Sequence, residues 1–195
     1  MTAARNIYDF DGTIYRGDST VDFYRFCMKR YPRLFPDLLL VAPYYAGMGL
    51  GLVEKTRAKE RFYRFLTFLP DVDALLAAFW DGHMAHIYPW YLARRHDTDV
   101  IVSASPAFLL EPACARLNVA VLGSRVDAYT GRTAGANCHG EEKVRRLYEA
   151  YPGCRVDRFY SDTRSDAPLA RLAREAYLVR RGRVTPFPAD WLKKA

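Results

Sequence analysis

The chain has 195 residues, with 29 lysines and arginines against 22 aspartates and glutamates, giving a formal net charge of +7. Half of the residues are hydrophobic, a fraction that can offset chain entropy by burial, so the composition excludes an intrinsically disordered chain. Four cysteines without a CxxC pair are too few for a disulfide scaffold and predict reduced thiols in a cytoplasmic compartment. The length predicts one core, with room for a modest insertion.

The positive charge is concentrated in two parts of the chain. Residues 23–69 carry nine basic and three acidic side chains, and residues 141–195 carry thirteen and eight. A diffuse basic surface would indicate nucleic acid as the default partner. Because these blocks are local, we expect local causes and no nucleic-acid partner.

Short strands alternate with helices through most of the chain. β-Rich segments predict strands at residues 5–9, 98–103, 118–122, 156–161 and 176–179. Helical patterns follow at residues 106–117, 141–151 and 165–174, the first of them opened by Ser105 as N-cap and Pro106. This alternation predicts an α/β fold with a doubly wound parallel sheet, in which ligands bind at the carboxyl ends of the strands.

Between the first and second strands the pattern is helical only. Helix-period segments occur at residues 21–31, 36–46, 53–67, 72–83 and 88–95. We therefore interpret residues 18–96 as a helical cap inserted into a core that consists of residues 1–17 and 97–195. A small hairpin is predicted within that core at residues 124–134.

Residues 38–53 contain no charged side chain. The stretch is shorter than the ~20 apolar residues of a membrane-spanning helix, and Pro43 and three glycines interrupt it. Three interpretations remain open: a buried or capped helix pair, a segment in contact with a membrane surface or lipid, and a true span.

The first predicted strand ends in an Asp-Phe-Asp-Gly-Thr turn. The turn lets the carboxylates of Asp9 and Asp11 converge, and Gly12 permits its tight geometry. Two like charges this close are costly unless a cation or proton lies between them, and Mg²⁺ is a hard ion that prefers oxygen ligands. Taken alone, the pair could also be turn chemistry with two solvated acids.

Further polar groups fall at the ends of other predicted strands. Ser103 ends the second strand, ahead of a helix N-terminus, which is an anion site. Lys143 lies in the first turn of a helix, where the macrodipole disfavours a cation, so a bound anion or an ion pair with Glu141 or Glu142 would explain it. The fourth strand ends in two acids, Asp162 and Asp166.

The order Asp-x-Asp-Gly-Thr, strand serine, lysine and Asp-x-x-x-Asp resembles the four motifs of the haloacid dehalogenase (HAD) superfamily of phosphatases. The helical insertion directly after the first motif resembles the subgroup that includes phosphoserine phosphatases. The resemblance covers the whole chain and implies a HAD-like Rossmannoid core. It also implies a Mg²⁺-dependent phosphomonoester phosphatase that forms an aspartyl-phosphate on a small or lipid-linked ester.

The resemblance implies a role for each motif residue. Asp9 would be the nucleophile, and Asp11 would be the general acid and then the base that activates water. Ser103 and Lys143 would bind the phosphoryl oxygens. The ligands of Mg²⁺ would be Asp9, the main-chain carbonyl of Asp11, Asp162 and, directly or through water, Asp166.

The expected substrate contacts are less uniform than the motifs. Asp18 stands where phosphoserine phosphatases usually have glutamate, and Ser165 stands where they have asparagine. These two departures bear on phosphoserine as the substrate and not on the phosphatase chemistry. The stretch at residues 136–144 resembles sub-families that act on lipid-type substrates, such as phosphatidylglycerophosphate phosphatases. The residues assigned to substrate binding are Asp18, Gly12, Ala104 and two cap cations, Arg57 and Arg61.

Basic residues flank the uncharged stretch on both sides. They suit peripheral contact with an anionic membrane, or a basic cap that screens an acidic cleft and recruits soluble phosphate esters. A cytoplasmic, membrane-associated enzyme is one expectation. The alternatives to a phosphatase are a phosphotransferase or mutase of the same superfamily, and a catalytically silent module that binds membrane or nucleic acid through the basic blocks.

Overall fold

The computed structural model describes residues 4–52 and 55–193. Its single sheet contains six strands: β1 (Ala4–Tyr8), β2 (Val100–Pro106), β3 (Ala120–Ser124), β4 (Arg155–Ser161), β5 (Ala173–Arg180) and β6 (Arg183–Pro186). The strand order is β3-β2-β1-β4-β5-β6, and all pairs are parallel except β5 with β6. The doubly wound α/β fold is confirmed, and each of the five predicted strands is present.

The segment between β1 and β2 is helical, as the sequence predicts. It contains α1 (Ser19–Arg30), α2 (Phe35–Gly49), α3 (Lys55–Tyr63), α4 (Val72–His83) and α5 (Pro89–Leu92), with 3₁₀ turns at Pro32–Leu34, Arg64–Phe68 and Met84–His86. The remaining helices are α6 (Ala107–Arg116), α7 (Glu141–Ala150), α8 (Ala167–Ala170) and α9 (Ala189–Leu192). We call the α1–α5 segment the insertion.

The two faces of the sheet pack against different helices. Alternate residues of a strand point to opposite faces, so Ile7 and Tyr8 of β1 belong to separate hydrophobic clusters. Ile7 packs in the cluster that contains Leu147 of α7 and Leu169 of α8. Tyr8 packs in the cluster that also contains helices α4 and α6.

A row of stacked tyrosines crosses the second face. The ring of Tyr8 lies 4.7 Å from that of Tyr160, which lies 4.9 Å from that of Tyr177, and the ring planes of both pairs are nearly parallel. From α5, Trp90 lies 5.4 Å from Tyr160, and Tyr91 lies edge-on to Tyr8 at 4.9 Å. The last helix of the insertion therefore packs directly on the sheet.

The insertion packs against the sheet and the helices beside it. In α4, the buried indole of Trp80 donates a hydrogen bond of 2.7 Å to the carbonyl oxygen of Leu109 in α6. The hydrophobic core on this face of the sheet contains buried residues of α4 and α5 and also of α1 and α3. Residues of α1, α2 and α3 in addition line the cavity described below. The domain boundaries at residues 17 and 96 stay a prediction.

Some predicted element bounds are wrong. Residues 165–174 form a 3₁₀ turn at Arg164–Asp166 and the short helix α8 instead of one long helix. Ala173 already pairs with Val156 of β4, so sheet pairing overrides the helix propensity of this segment. Helical structure also ends early at α5, which covers only part of residues 88–95.

Two local features differ from the sequence prediction. The N-cap of α6 is Pro106, without a side-chain hydrogen bond, because the Ser105 hydroxyl faces the cavity instead. Strand β6 was not predicted. It follows β5 through a two-residue turn in which Arg181 and Gly182 both have positive φ, 51° and 79°, the geometry of a type I′ hairpin.

The predicted hairpin at residues 124–134 is present as a loop closed by an antiparallel bridge between Val126 and Thr133. Its turn places Gly131 at φ 69°, with the backbone of Tyr63 so close that a Cβ would lie 2.5 Å from the Tyr63 carbonyl oxygen. This glycine therefore lets the loop pack against the insertion.

Most of the uncharged stretch at residues 38–53 belongs to one helix, α2, rather than to a helix pair. Pro43 lies inside this helix. Residue 53, the last of the uncharged stretch, lies outside the described residues. In the part of the chain that the structure describes, no helix is long and apolar enough to cross a membrane.

Candidate active site

A cavity of about 610 Å³ lies between the carboxyl ends of β1, β2 and β4 and the first three helices of the insertion. Its core side is lined by Asp9, Asp11, Ser103, Ala104, Ser105 and Asp162. Its insertion side is lined by Asp18, Thr20, Val21, Val41, Ala42, Lys59, Phe62 and Tyr63. The topology therefore brings residues from the first, second and fourth predicted motifs to one cavity, at the edge where doubly wound sheets bind ligands.

Lys143 links the first motif to the fourth. Its buried ammonium lies 2.9 Å from Oδ1 of Asp9 and 2.7 Å from Oδ2 of Asp166. The Ser161 hydroxyl donates a further hydrogen bond of 2.7 Å to the same Asp166 oxygen. These two carboxylates explain the lysine in the first turn of α7, because they supply the negative charge that the helix terminus lacks.

The ion pair of Lys143 with Glu141 or Glu142 that the sequence left open is not formed. Glu142 bonds Arg145 and Arg146, and Glu141 lies 3.5 Å from Arg171. Both glutamates are therefore engaged with arginines.

Burial and pairing act in opposite directions on the groups at the cavity floor. Burial raises the pKa of Asp9 to about 7, while the Lys143 ammonium lowers it. Burial lowers the pKa of Lys143, but the charges of Asp9 and Asp166 outweigh it and raise the pKa above that of a free lysine. Lys143 thus stays charged and favours the ionised form of Asp9.

Asp11 is held on both carboxylate oxygens. The main-chain N–H of Ser19 donates to Oδ1 over 2.6 Å, and the Ser105 hydroxyl donates to Oδ2 over 2.5 Å. Burial raises the pKa of Asp11 to about 6, helped by the charge of Asp18 and opposed by these hydrogen bonds. Thr20 contacts the Ser105 hydroxyl at 3.1 Å and completes the arrangement.

Gly12 lies in the turn after β1, with its backbone close to the carboxylate of Asp162. Its φ is +70°, and a Cβ at this position would lie 2.3 Å from Oδ2 of Asp162. Glycine is therefore required both by the backbone conformation and by the close approach of the carboxylate. Gly12 is not among the described residues that line the main cavity, and its contact with substrate stays a prediction.

The acids at the strand ends offer a donor set of hard oxygens. Burial raises the pKa of Asp162, and Oδ1 of the buried Asp166 has no hydrogen-bond partner. Within residues 4–52 and 55–193, no three His, Cys, Asp or Glu side chains are grouped closely enough to hold a metal ion. The predicted ligands are the carboxylates of Asp9 and Asp162 and the main-chain carbonyl of Asp11, so they do not need three grouped acidic side chains. These oxygen donors fit Mg²⁺ in their chemistry.

The predicted substrate residues are placed unevenly. Asp18 and Ala104 line the cavity, whereas Arg57 and Arg61 do not line it in the described part of the chain. Lys59, between those arginines, lines it instead, and its ammonium lies 3.3 Å from the Ala104 carbonyl and 2.7 Å from Oδ1 of Asn137. Residues 57 and 61 share one face of α3, and residue 59 points away from that face.

Ser103 lies within β2 rather than at its tip, because the strand continues to Pro106. It is buried, and its hydroxyl accepts a hydrogen bond of 3.2 Å from the N–H of Ser105. Ser105 also lines the cavity, which the sequence could have indicated, because side chains two residues apart on a strand share a face.

A family model described as a haloacid dehalogenase-like hydrolase matches residues 7–171, which is most of the chain. The chain belongs to this family. No curated protein sequence matches the hydrolase significantly.

Solved structures share the fold of the hydrolase at low sequence identity. A protein of unknown function from Bordetella pertussis Tohama I aligns with a TM-score of 0.76 and 18% identity, over 90% of this chain and 89% of that one. A phosphoserine phosphohydrolase-like protein from Francisella tularensis aligns with a TM-score of 0.56 and 13% identity, over 89% and 86%. A phospho-aspartyl intermediate analogue of phosphoserine phosphatase aligns with a TM-score of 0.51 and 12% identity, over 90% and 86%.

Proposed function

We propose that this hydrolase is a phosphomonoester phosphatase that works through an aspartyl-phosphate. The observation that carries the proposal is the arrangement at the cavity floor, where Asp9 lies 2.9 Å from the Lys143 ammonium and Asp11 lines the same cavity. A carboxylate beside a fixed cation is suited to attack an anionic phosphoryl group, because the cation offsets the charge repulsion between them.

Two displacements complete the proposed reaction. In the first, an oxygen of Asp9 bonds to phosphorus, the bond from phosphorus to the ester oxygen breaks, and protonated Asp11 gives its proton to the leaving alcohol. In the second, Asp11 takes a proton from water, the water oxygen bonds to phosphorus, and the bond from phosphorus to the Asp9 oxygen breaks, which releases inorganic phosphate and free Asp9. The raised pKa of Asp11, about 6, supports both of its roles near neutral pH.

Asp11 and the phosphate-binding groups are oriented by this chain's own contacts. Ser105 and Ser19 hold the two oxygens of Asp11, which fixes the direction of its proton transfer. Ser103 and Lys143 are proposed to bind the phosphoryl oxygens; Ser103 lines the cavity, and the ammonium of Lys143 contacts Asp9, which lines it.

Mg²⁺ is the proposed cofactor. Asp9, the main-chain carbonyl of Asp11 and Asp162 would hold it, with Asp166 in support. Bound there, the ion would neutralise negative charge on the phosphoryl group. The donor chemistry and the unpartnered Oδ1 of Asp166 support this assignment.

Replacement of the nucleophile tests the proposed reaction. Asp9→Asn removes the attacking carboxylate, so we expect release of inorganic phosphate from a general ester such as p-nitrophenyl phosphate to be abolished. Asp190→Asn, at an exposed position on α9, is the matched control and should keep full activity. Full activity in a folded Asp9→Asn protein would contradict the mechanism. Phosphate release that requires an added acceptor would favour a phosphotransferase.

We also propose peripheral contact between the insertion and an anionic membrane. Three large apolar side chains at the ends of α2 are exposed. Phe35, the first residue of the helix, is 60% exposed, and Leu50 and Leu52, which follow the helix, are 75% and 79% exposed. The exposed cations Arg33 and Arg57 lie close to them in the chain, and each cation near an anionic surface contributes about 1 kcal/mol. Flotation with vesicles that contain phosphatidylglycerol should therefore recover the protein, and Leu50→Asp/Leu52→Asp should reduce that recovery. Equal recovery of both proteins would contradict membrane contact through these residues.

A further inference from the structure

The cavity has two chemically different sides. The side formed by the strand ends is polar and contains the acids of the proposed reaction. The opposite side is formed by the insertion, and five of its residues are apolar: Val21, Val41, Ala42, Phe62 and Tyr63. A phosphoryl group bound at Asp9 would therefore direct its ester substituent toward an apolar wall.

The charged groups on the insertion side are already engaged by the protein. Asp18 caps α1, and one of its oxygens accepts the N–H of Val21 at 3.0 Å. Lys59 contacts the Ala104 carbonyl and the Asn137 side chain. A leaving group with its own ammonium and carboxylate would have to compete with these contacts, whereas an apolar group would not.

The size of the cavity also favours a large substituent. Its volume of about 610 Å³ lies in the middle of the ~300–1,000 Å³ range of pockets that enclose drug-sized ligands. Val41 and Tyr63 are 4% and 3% exposed, so the wall contains side chains that are packed in place. Burying an apolar chain against such a wall releases water and stabilises the complex.

We infer that the substrates of this site are phosphomonoesters whose leaving alcohol is a bulky apolar group, accommodated between α1, α2 and α3. The inference rests on the proposed phosphatase function and adds the substrate class. The leaving group is recognised by burial against the insertion, while the phosphoryl group is recognised by the strand ends. Such an ester could be free in solution or part of a bilayer, because the recognised chemistry is the same.

A homologous series of soluble esters tests the inference. Phosphate release is measured with Mg²⁺ for ethyl, butyl, hexyl and octyl phosphate, all below their critical micelle concentrations. We expect kcat/KM to rise about fourfold per methylene until the wall is covered, as full burial of each CH₂ predicts. A flat or falling series, or a preference for phosphoserine over hexyl phosphate, would overturn the inference.

A charge placed in the wall provides the matched variant. Ala42→Asp introduces a carboxylate at an exposed, cavity-lining position of α2, and should remove most of the gain from ethyl to octyl phosphate. Ala46→Asp makes the same change one turn later on the exposed surface of α2, outside the lining residues, and should leave the series unchanged. Equal chain-length dependence in all three proteins would also overturn the inference.

Two further measurements distinguish an ester in a bilayer from an ester free in solution, and failure of this inference from failure of the proposed function. Hydrolysis of a dialkyl glycerol phosphate that is faster in vesicles than in detergent-free solution supports the inference with the bilayer as source, and the reverse supports it with the free ester as source. If no ester releases phosphate, the proposed function fails. If esters are hydrolysed without regard to chain length, only this inference fails.

Discussion

The Lys59 ammonium lies 2.7 Å from Oδ1 of Asn137 and so joins helix α3 of the insertion to the segment that precedes α7. The same asparagine oxygen accepts the hydroxyl of Ser124 at the end of β3. One residue further along α3, Glu60 accepts the N–H and hydroxyl of Thr133. These contacts hold the cavity's insertion wall over the strand ends.

The contact between Lys59 and Asn137 should be measurable as a coupling energy. In a double-mutant cycle of Lys59→Met and Asn137→Ala, we expect the unfolding free energies to be non-additive by about 0.5–3 kcal/mol, as for other directly bonded pairs. Urea denaturation of the four proteins gives the value. The control cycle pairs Asn137→Ala with Lys29→Met, at an exposed position on α1, and should be additive. Additivity in the first cycle would show that the hydrogen bond contributes nothing.

Replacement of Gly12 should damage the fold and the site together. In Gly12→Ala the Cβ would lie 2.3 Å from the Asp162 carboxylate, and the left-handed backbone alone costs about 1–2 kcal/mol. We expect lower thermal stability and weaker phosphate release. Gly82→Ala, inside α4 with nothing within 4 Å of the new Cβ, should instead stabilise the protein by up to about 1 kcal/mol. The same sign for both substitutions would contradict this account.

Metal removal tests the proposed donor set. We expect EDTA to abolish phosphate release and Mg²⁺ to restore it. In Asp162→Asn the affinity for Mg²⁺, measured directly by calorimetry, should fall by at least about tenfold. Asp157→Asn on β4, the strand that precedes Asp162, removes a carboxylate that pairs with Arg174 and should bind Mg²⁺ as the unmodified protein does. Full activity in EDTA would exclude Mg²⁺ as the cofactor.

The contacts of Glu142 predict a pH-dependent stability. Hydrogen bonds from Arg145, followed by those from Arg146, lower the pKa of Glu142 to about 2, against an ordinary value of 4.5. A lowered pKa means that the carboxylate stabilises the fold above pH 4.5 and that this contribution is lost as the pH falls toward about 2. Glu142→Gln should therefore lower Tm by about 2–4 °C at pH 7 and by progressively less in acid.

The matched control for this prediction is Glu141→Gln. The Glu141 side chain is 77% exposed and lies 3.5 Å from Arg171. The Tm of the Glu141→Gln protein should therefore follow that of the unmodified protein across the pH range. A Tm difference for Glu142→Gln that stays constant down to pH 2 would contradict the assigned cause.

The position of the three acids at the strand ends could be predicted from the sequence, because each follows a strand and parallel strands end at one edge of the sheet. Asp9, Asp11 and Asp162 meet at the cavity for this reason. The sequence does not determine which side chains of the insertion line the cavity. Arg57 and Arg61 were expected to face the substrate, but the direction in which α3 rotates depends on packing of buried Ala58 and Tyr63, which composition does not reveal. Lys59 lines the cavity as a result, and substrate binding by Arg57 and Arg61 stays a prediction.

The stacked row formed by Tyr8, Tyr160 and Tyr177 should give the protein an intrinsic spectroscopic signal. Trp90 lies 6.3 Å from Tyr8 and 5.4 Å from Tyr160, so the indole is coupled to chromophores on the central strands. Fixed aromatic neighbours of this kind produce a near-ultraviolet circular dichroism signal that disappears when side-chain packing loosens. Detachment of α5 from the sheet would thus be visible without any label, and distinguishable from changes at the cavity, where the wall contains no tryptophan among its described residues.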